Sequence, residues 1–135
     1  MSEGGARRIL IVDDADEARA ILAIAMRTIG GATVETADSA ETALRVMDGG
    51  AVDVLITDFR MSGMSGLELL ASLRASGHWP YCGSVLISGE TDPDLPRRAR
   101  DSGASKFFPK PFSAIEIRKF VIALLESCTD GTRRG

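Results

Sequence analysis

Cysteine and histidine are scarce in this chain of 135 residues, with two of the first and one of the second. Cys82 and Cys128 are too few for a disulfide framework and lack the close pairing of a metal site, so reduced thiols in a cytoplasmic domain are expected. The lone His78 excludes a His-rich metal centre. Excess charge of either sign is missing too, since 16 Lys and Arg stand against 19 Asp and Glu, a net of -3. Without a basic surface, direct nucleic-acid binding is not expected. Long apolar runs are also absent: stretches such as residues 20–26 fall far short of the ~20 that cross a bilayer. Arg7-Arg8 precede only four apolar residues before Asp13-Asp14, which makes no signal peptide. What the chain does have is core-forming material, 44% apolar residues in a length that suits one compact domain.

Strand and helix patterns alternate along it. Residues 8–12 form a continuous apolar run closed by acids, as in a strand buried on both faces. A helix follows, capped by Asp14 or Asp16, with Ala18, Ile21, Leu22, Ala25 and Ile29 as its apolar stripe. Residues 33–37 are a short second strand. Ser39 caps a second helix with Ala40, Ala43, Leu44 and Met47 on one side, stopped by Gly49-Gly50. A third strand over 52–57 ends at Asp58, and a loop over 60–66 leads into a helix carrying Leu67, Leu70 and Leu73. The fourth strand, 83–87, ends at Ser88. Pro93 and Pro96 confine the fourth helix to about residues 95–102. A brief fifth strand at 106–108 is closed by Pro109-Lys110-Pro111, and Ser113 caps a last helix with Ile117, Phe120, Val121, Leu124, Leu125 and Cys128 on one stripe. Residues 8–128 are therefore read as one α/β domain, flanked by a flexible segment 1–7 and a disordered tail 129–135.

Five such units predict a doubly wound parallel sheet of order 2-1-3-4-5, flavodoxin-like, whose crevice lies at the carboxyl ends of the first and third strands. Asp13 and Asp14 end the first strand, Asp58 the third, Ser88 the fourth, and Lys110 follows the fifth. All five open onto one rim. Carboxylates crowded there repel, so either their pKa values rise or a cation sits among them. Oxygen ligands alone suit Mg2+, which commonly shares its shell with phosphate. A metal, a lysine and a hydroxyl around one carboxylate form a site for a phosphoryl group, with Asp58 as nucleophile.

These residues carry a resemblance. Ile11-Val12-Asp13-Asp14, Ile56-Thr57-Asp58-Phe59-Arg60-Met61 with Gly66, Leu86-Ile87-Ser88-Gly89 and Lys110-Pro111-Phe112 resemble the receiver domain of two-component response regulators, over roughly residues 8–127. The stand-alone, chemotaxis-regulator type is the nearest kind. The resemblance implies that Asp58 takes a phosphoryl group from a histidine kinase or a histidine phosphotransfer protein. Asp13, Asp14, the Asp58 side chain and the backbone carbonyl of Arg60 would hold Mg2+, and Ser88 and Lys110 would contact the phosphoryl oxygens. Phe107 matches the aromatic whose rotamer couples to Ser88, and the Lys110–Pro111 bond is expected to be cis. The output would be a changed surface on the fourth helix, fifth strand and fifth helix, read by a downstream protein. Such a domain is a phosphoacceptor switch in the cytoplasm, not a turnover enzyme.

Four departures stand out against that family. Ser62 occupies a place where proline commonly follows the methionine, so the loop after Asp58 is expected to be less rigid. Arg60 and Glu90 each lie two residues past a site residue, and as a pair across the rim they would tune water access and the lifetime of the signal. The proline-bearing fourth helix, and Ser105-Lys106 in place of an acidic pair, argue against a symmetric dimer and for a monomer when unphosphorylated. The chain also carries no output domain after the fifth helix, which fits a stand-alone receiver or a piece of a longer regulator. Partner docking is expected on the first helix, with Ala15, Ala18, Arg19 and Leu22 as candidates, of which Ala18 and Leu22 are equally candidates for the core. The rival readings are a haloacid-dehalogenase-like phosphatase, which needs an acid where Arg60 stands, and a flavin binder, whose phosphate the acids at 13–17 would repel. A receiver-like module that binds partners without phosphate is a third.

Overall fold

A computed structural model of the chain describes residues 6–128; the expected flexible and disordered ends fall, for 1–5 and 129–135, outside the described residues. Ten elements alternate as β1 (Arg7–Val12), α1 (Asp16–Arg27), β2 (Ala32–Ala37), α2 (Ala40–Asp48), β3 (Val54–Asp58), α3 (Gly66–Ser76), β4 (Gly83–Ser88), α4 (Leu95–Asp101), β5 (Lys106–Pro109) and α5 (Ala114–Ser127). All strand pairs are parallel, and the order is β2-β1-β3-β4-β5, as expected. Every residue of β3 and β4 is buried, which is why Val54-Leu55-Ile56 and Val85-Leu86-Ile87 read as continuous apolar stretches and not as alternating ones.

Alternate strand residues feed two cores. Leu10, Val12, Leu55 and Leu86 pack with Ala40, Ala43 and Met47 of α2, Leu69, Leu70 and Leu73 of α3, and Ala99 of α4. Ile9, Ile11, Val54, Ile56, Val85 and Ile87 pack on the other face with Leu22, Ala23 and Met26 of α1 and Ile117, Val121 and Leu125 of α5. Period two in the strands and period 3.6 in the helices thus meet in a three-layer stack.

Helix starts follow local chemistry. Ser39 and Ser113 accept from the backbone N–H of Thr42 and Glu116, and Ser65 forms a reciprocal capping box with Glu68. The first helix departs from expectation. Its N-cap is Ala15, with no side-chain cap, and Asp16 lies inside the first turn. Asp13 and Asp14 are not free to cap it, because their carboxylates are held at the rim. The buried stripe is also rotated, to Leu22, Ala23, Met26 and Ile29, leaving Ile21 exposed. Leu22, open between docking and core in the sequence, is core.

Two further expectations need correction. β1 begins at Arg7, inside the segment read as flexible, and the Arg7 guanidinium donates to the carbonyls of Leu125 (3.3 Å) and Cys128 (3.2 Å). The cysteines are not reduced thiols: Cys82 and Cys128 form a disulfide, with Cα atoms 5.3 Å apart. Forty-six positions separate them in sequence, so no spacing motif announces the pair. The fold brings them together, because α5 runs back along the sheet and its C-cap, Cys128, ends at the residue that precedes β4.

Candidate functional site

The rim at the carboxyl ends of the strands collects five polar side chains, each carried there by a strand end. One oxygen each of Asp13, Asp14 and Asp58 lies within 4.8 Å of the others. At that separation two unit charges repel by about 3 to 4 kcal/mol at an effective dielectric near 20. Asp13 and Asp58 are buried and Asp14 is exposed. Lys110 reaches in from the loop after β5, its Nζ 3.1 Å from Asp58 Oδ1 and 4.0 Å from Asp13 Oδ2. Burial, then the charge of Asp13, push the Asp58 carboxyl up to about 6 against the pull of Lys110. A carboxylate raised that far beside two others is a place where a cation relieves repulsion, and an all-oxygen donor set fits a small hard divalent ion such as Mg2+.

The surroundings fix these groups from behind. Asp13 Oδ1 accepts the Ala15 N–H at 2.9 Å, and Asp14 Oδ2 accepts the Ser62 N–H at 3.0 Å. Proline could not make that second bond, so the loop after Asp58 is tethered to Asp14 where greater looseness was expected. Ser88 is buried, and its Oγ accepts the Glu90 N–H at 2.9 Å, which leaves its own O–H to donate toward the rim. The Lys110 N–H donates to the Ser88 carbonyl at 2.8 Å, joining the two loops. The Lys110–Pro111 bond is cis, as expected. Gly66 starts α3 against the Asp58 carbonyl and the Leu86 side chain, so tightly that a Cβ there would collide with both. Arg60 Nε meets Glu90 Oε2 at 2.6 Å, joining the loops that follow Asp58 and Ser88. Phe107 is half-buried, and the register that sets it beside Leu86 puts it on the same sheet face as Ser88.

The response regulator receiver domain profile matches residues 9–122. The chain belongs to this receiver family. It is 31% identical over 119 residues to the chemotaxis protein CheY of Pseudomonas aeruginosa, a match covering 88% of this chain and 96% of that one. Among solved structures it is similar to the chemotaxis regulator CheY4 of Vibrio cholerae, at 25% identity and a TM-score of 0.78, over 88% of this chain and 98% of the other. The receiver domain of NarL from Mycobacterium tuberculosis matches with 28% identity and the same TM-score of 0.78, over 88% and 95%. Receiver domains act as phosphoacceptor switches and bind Mg2+ at an acidic pocket.

In this receiver, sequence reasoning found all five rim groups but missed what holds them. The Ser62 N–H on Asp14 is a backbone bond, invisible to residue type. A second feature missed is a cleft beside the rim, lined by Glu17, Ala18, Ile21, Lys110, Pro111 and Phe112. No pattern announced it, since the sequence sets Ile21 on the apolar stripe of α1 and only the structure leaves it exposed.

Proposed function

We propose that this receiver takes a phosphoryl group on Asp58 from the phosphohistidine of a histidine kinase or histidine phosphotransfer protein. The observation that carries this reading is Lys110 Nζ at 3.1 Å from Asp58 Oδ1 inside the three-carboxylate cluster. An ionised Asp58 oxygen attacks phosphorus, the new O–P bond forms as the N–P bond breaks, and the imidazole leaves and takes a proton. With its carboxyl at about 6, Asp58 is mostly ionised at neutral pH and so available to attack. Asp13, Asp14, Asp58 and the carbonyl of Arg60 would hold Mg2+, which supplies charge neutralisation for the phosphoryl oxygens. Lys110 places a further positive charge on those oxygens, and Ser88 donates its hydroxyl proton to one of them.

The added charge draws Ser88 toward it, and Phe107 turns into the space behind it. That rearranges the face made by α4, β5 and α5, which a downstream protein reads. The donor docks on α1 and the loop before α5, where Ile21 is exposed beside Phe112. The chain works as a phosphoacceptor switch in the cytoplasm, where kinases draw on ATP, as a monomer when unphosphorylated. No helix among the described residues is long and apolar enough to cross a membrane. Intact mass after incubation with acetyl phosphate and Mg2+ tests the reading. A gain of one phosphoryl group is expected, absent with chelator and absent in Asp58→Asn. A folded, Mg2+-saturated protein that shows neither the adduct nor a structural shift with beryllofluoride overturns it in favour of a phosphate-independent binding module.

The Arg60–Glu90 pair sets the lifetime of the adduct. It joins the loops that follow Asp58 and Ser88, and the Arg60 ring-face contact with Phe59, 5.8 Å to the centroid, helps to hold it there. Arg60→Ala and Glu90→Ala are each expected to speed dephosphorylation by about three- to tenfold. The difference should shrink as salt screens the exposed pair. Unchanged rates in both variants would show that the pair does not gate water.

A further inference from the structure

The disulfide lies at the pole of the sheet opposite the carboxylates. Cys82 is half-buried one residue before β4, and Cys128 caps α5. The body of α5 is held to the sheet without it, so that only the last turn answers to the bond. Ile117, Val121 and Leu125 already pack against Val54, Ile56, Val85 and Ile87, and Arg7 ties down the carbonyls of Leu125 and Cys128. The same guanidinium approaches Cys82 Sγ at 3.6 Å. A Cys82 sulfur released from the bond therefore faces a fixed positive charge, the setting in which thiol–disulfide exchange is favoured. A receiver that takes phosphate from a kinase works in the reducing cytoplasm, where disulfides are transient and redox-responsive far more often than structural. The inference rests on that reading of the function.

We propose that Cys82 and Cys128 are a redox-active dithiol site whose substrate is a small thiol of the glutathione class, or its disulfide. Its state sets how firmly the last turn of α5 is held to β4. In the reducing direction a thiolate attacks one of the two sulfurs. The S–S bond breaks, a mixed disulfide forms, and the other cysteine leaves as a thiolate. A second thiolate attacks the small molecule's sulfur in the mixed disulfide, releasing the second cysteine. Two small thiols are oxidised to one disulfide, the protein bond is reduced by two electrons, and the two cysteines take up the two protons the thiols lost. Oxidation by the small disulfide is the reverse. The second sulfur closes the ring without rearrangement, because the Cα atoms are already 5.3 Å apart.

The test equilibrates the intact chain with glutathione buffers from fully oxidised to fully reduced, alkylates it, and counts adducts by intact mass. These are the chain's only cysteines, so the count reads the site directly. No adduct at the oxidised end, two at the reduced end, and amide exchange over residues 124–128 about tenfold faster in the reduced form are expected, with β1 and β3 unchanged. Two adducts at every ratio in folded protein would show that the thiols do not pair. None under fully reducing buffer would show a permanent staple. Either result overturns the proposal, and so does a Cys82→Ser protein whose exchange still follows the buffer. None of these readings passes through Asp58, so a failed phosphorylation assay leaves them interpretable, and the reverse also holds.

Discussion

In Mg2+-free buffer at pH 7, Asp58→Asn is expected to be more stable than the parent by about 2 kcal/mol, a rise of roughly 7 °C in Tm for a domain of this size. The cause is the environment of the acid. Burial and Asp13 hold its carboxyl at about 6, where an unfolded aspartate titrates near its ordinary 3.8. Between those values the folded chain binds a proton that the unfolded chain has released. Stability therefore falls as pH rises from about 4 through 6, and the whole loss is present above that. The full separation would be worth about 3 kcal/mol, and solvent at the rim reduces it. Asparagine keeps the shape and removes the titration, so the two proteins should converge near pH 4 and part as pH rises. Thermal melts at a series of pH values check this. An equal gap at pH 4 and 7, or none at pH 7, would show that the charge on Asp58 is not what destabilises the site. Saturating Mg2+ should narrow the gap, since a cation among Asp13, Asp14 and Asp58 relieves the same repulsion.

Gly66→Ala is expected to cost about 2 to 3 kcal/mol, lowering Tm by about 7 to 10 °C, even though alanine is the better helix former. The new Cβ would overlap the backbone carbonyl of Asp58 and press on Leu86. A carbonyl at the end of a buried central strand has no room to yield. Because Gly66 N–H also donates to the Phe59 carbonyl at 2.8 Å, any retreat of α3 drags the residue after the acceptor with it. The variant should lose phosphorylation rate as well as stability. Denaturant melts and the acetyl phosphate assay report the two effects. A variant as stable as the parent would mean that α3 does not set the position of Asp58.

The sheet order and the five rim groups were legible because strand ends are marked twice, by the close of an apolar run and by the polar residue that closes it. Asp58 after residues 54–57 is the plainest case. Helix faces were less legible. In α1 the run from Ala20 to Met26 is apolar on all sides, so pattern alone could not separate exposed Ile21 from buried Leu22. The tether between Ser62 and Asp14 was hidden because it uses backbone, and the substitution of a proline there reads as lost stiffness when the structure turns it into a gained donor. The cysteine pair was hidden for a different reason: its partners meet only through the return of α5 across the sheet, a long-range fact that composition does not carry.

That same bond divides the molecule topologically. The covalent ring it closes contains Ser88, α4, Phe107, β5, Lys110 and α5, whereas Asp13, Asp14 and Asp58 stand outside it. The acid that would take the phosphoryl group and the two that would hold Mg2+ beside it belong to an open chain, and the groups that would answer to it belong to a loop with no free end. A backbone cut within the ring leaves the two parts as one molecule until the sulfurs are parted, while a cut in the open portion separates them at once.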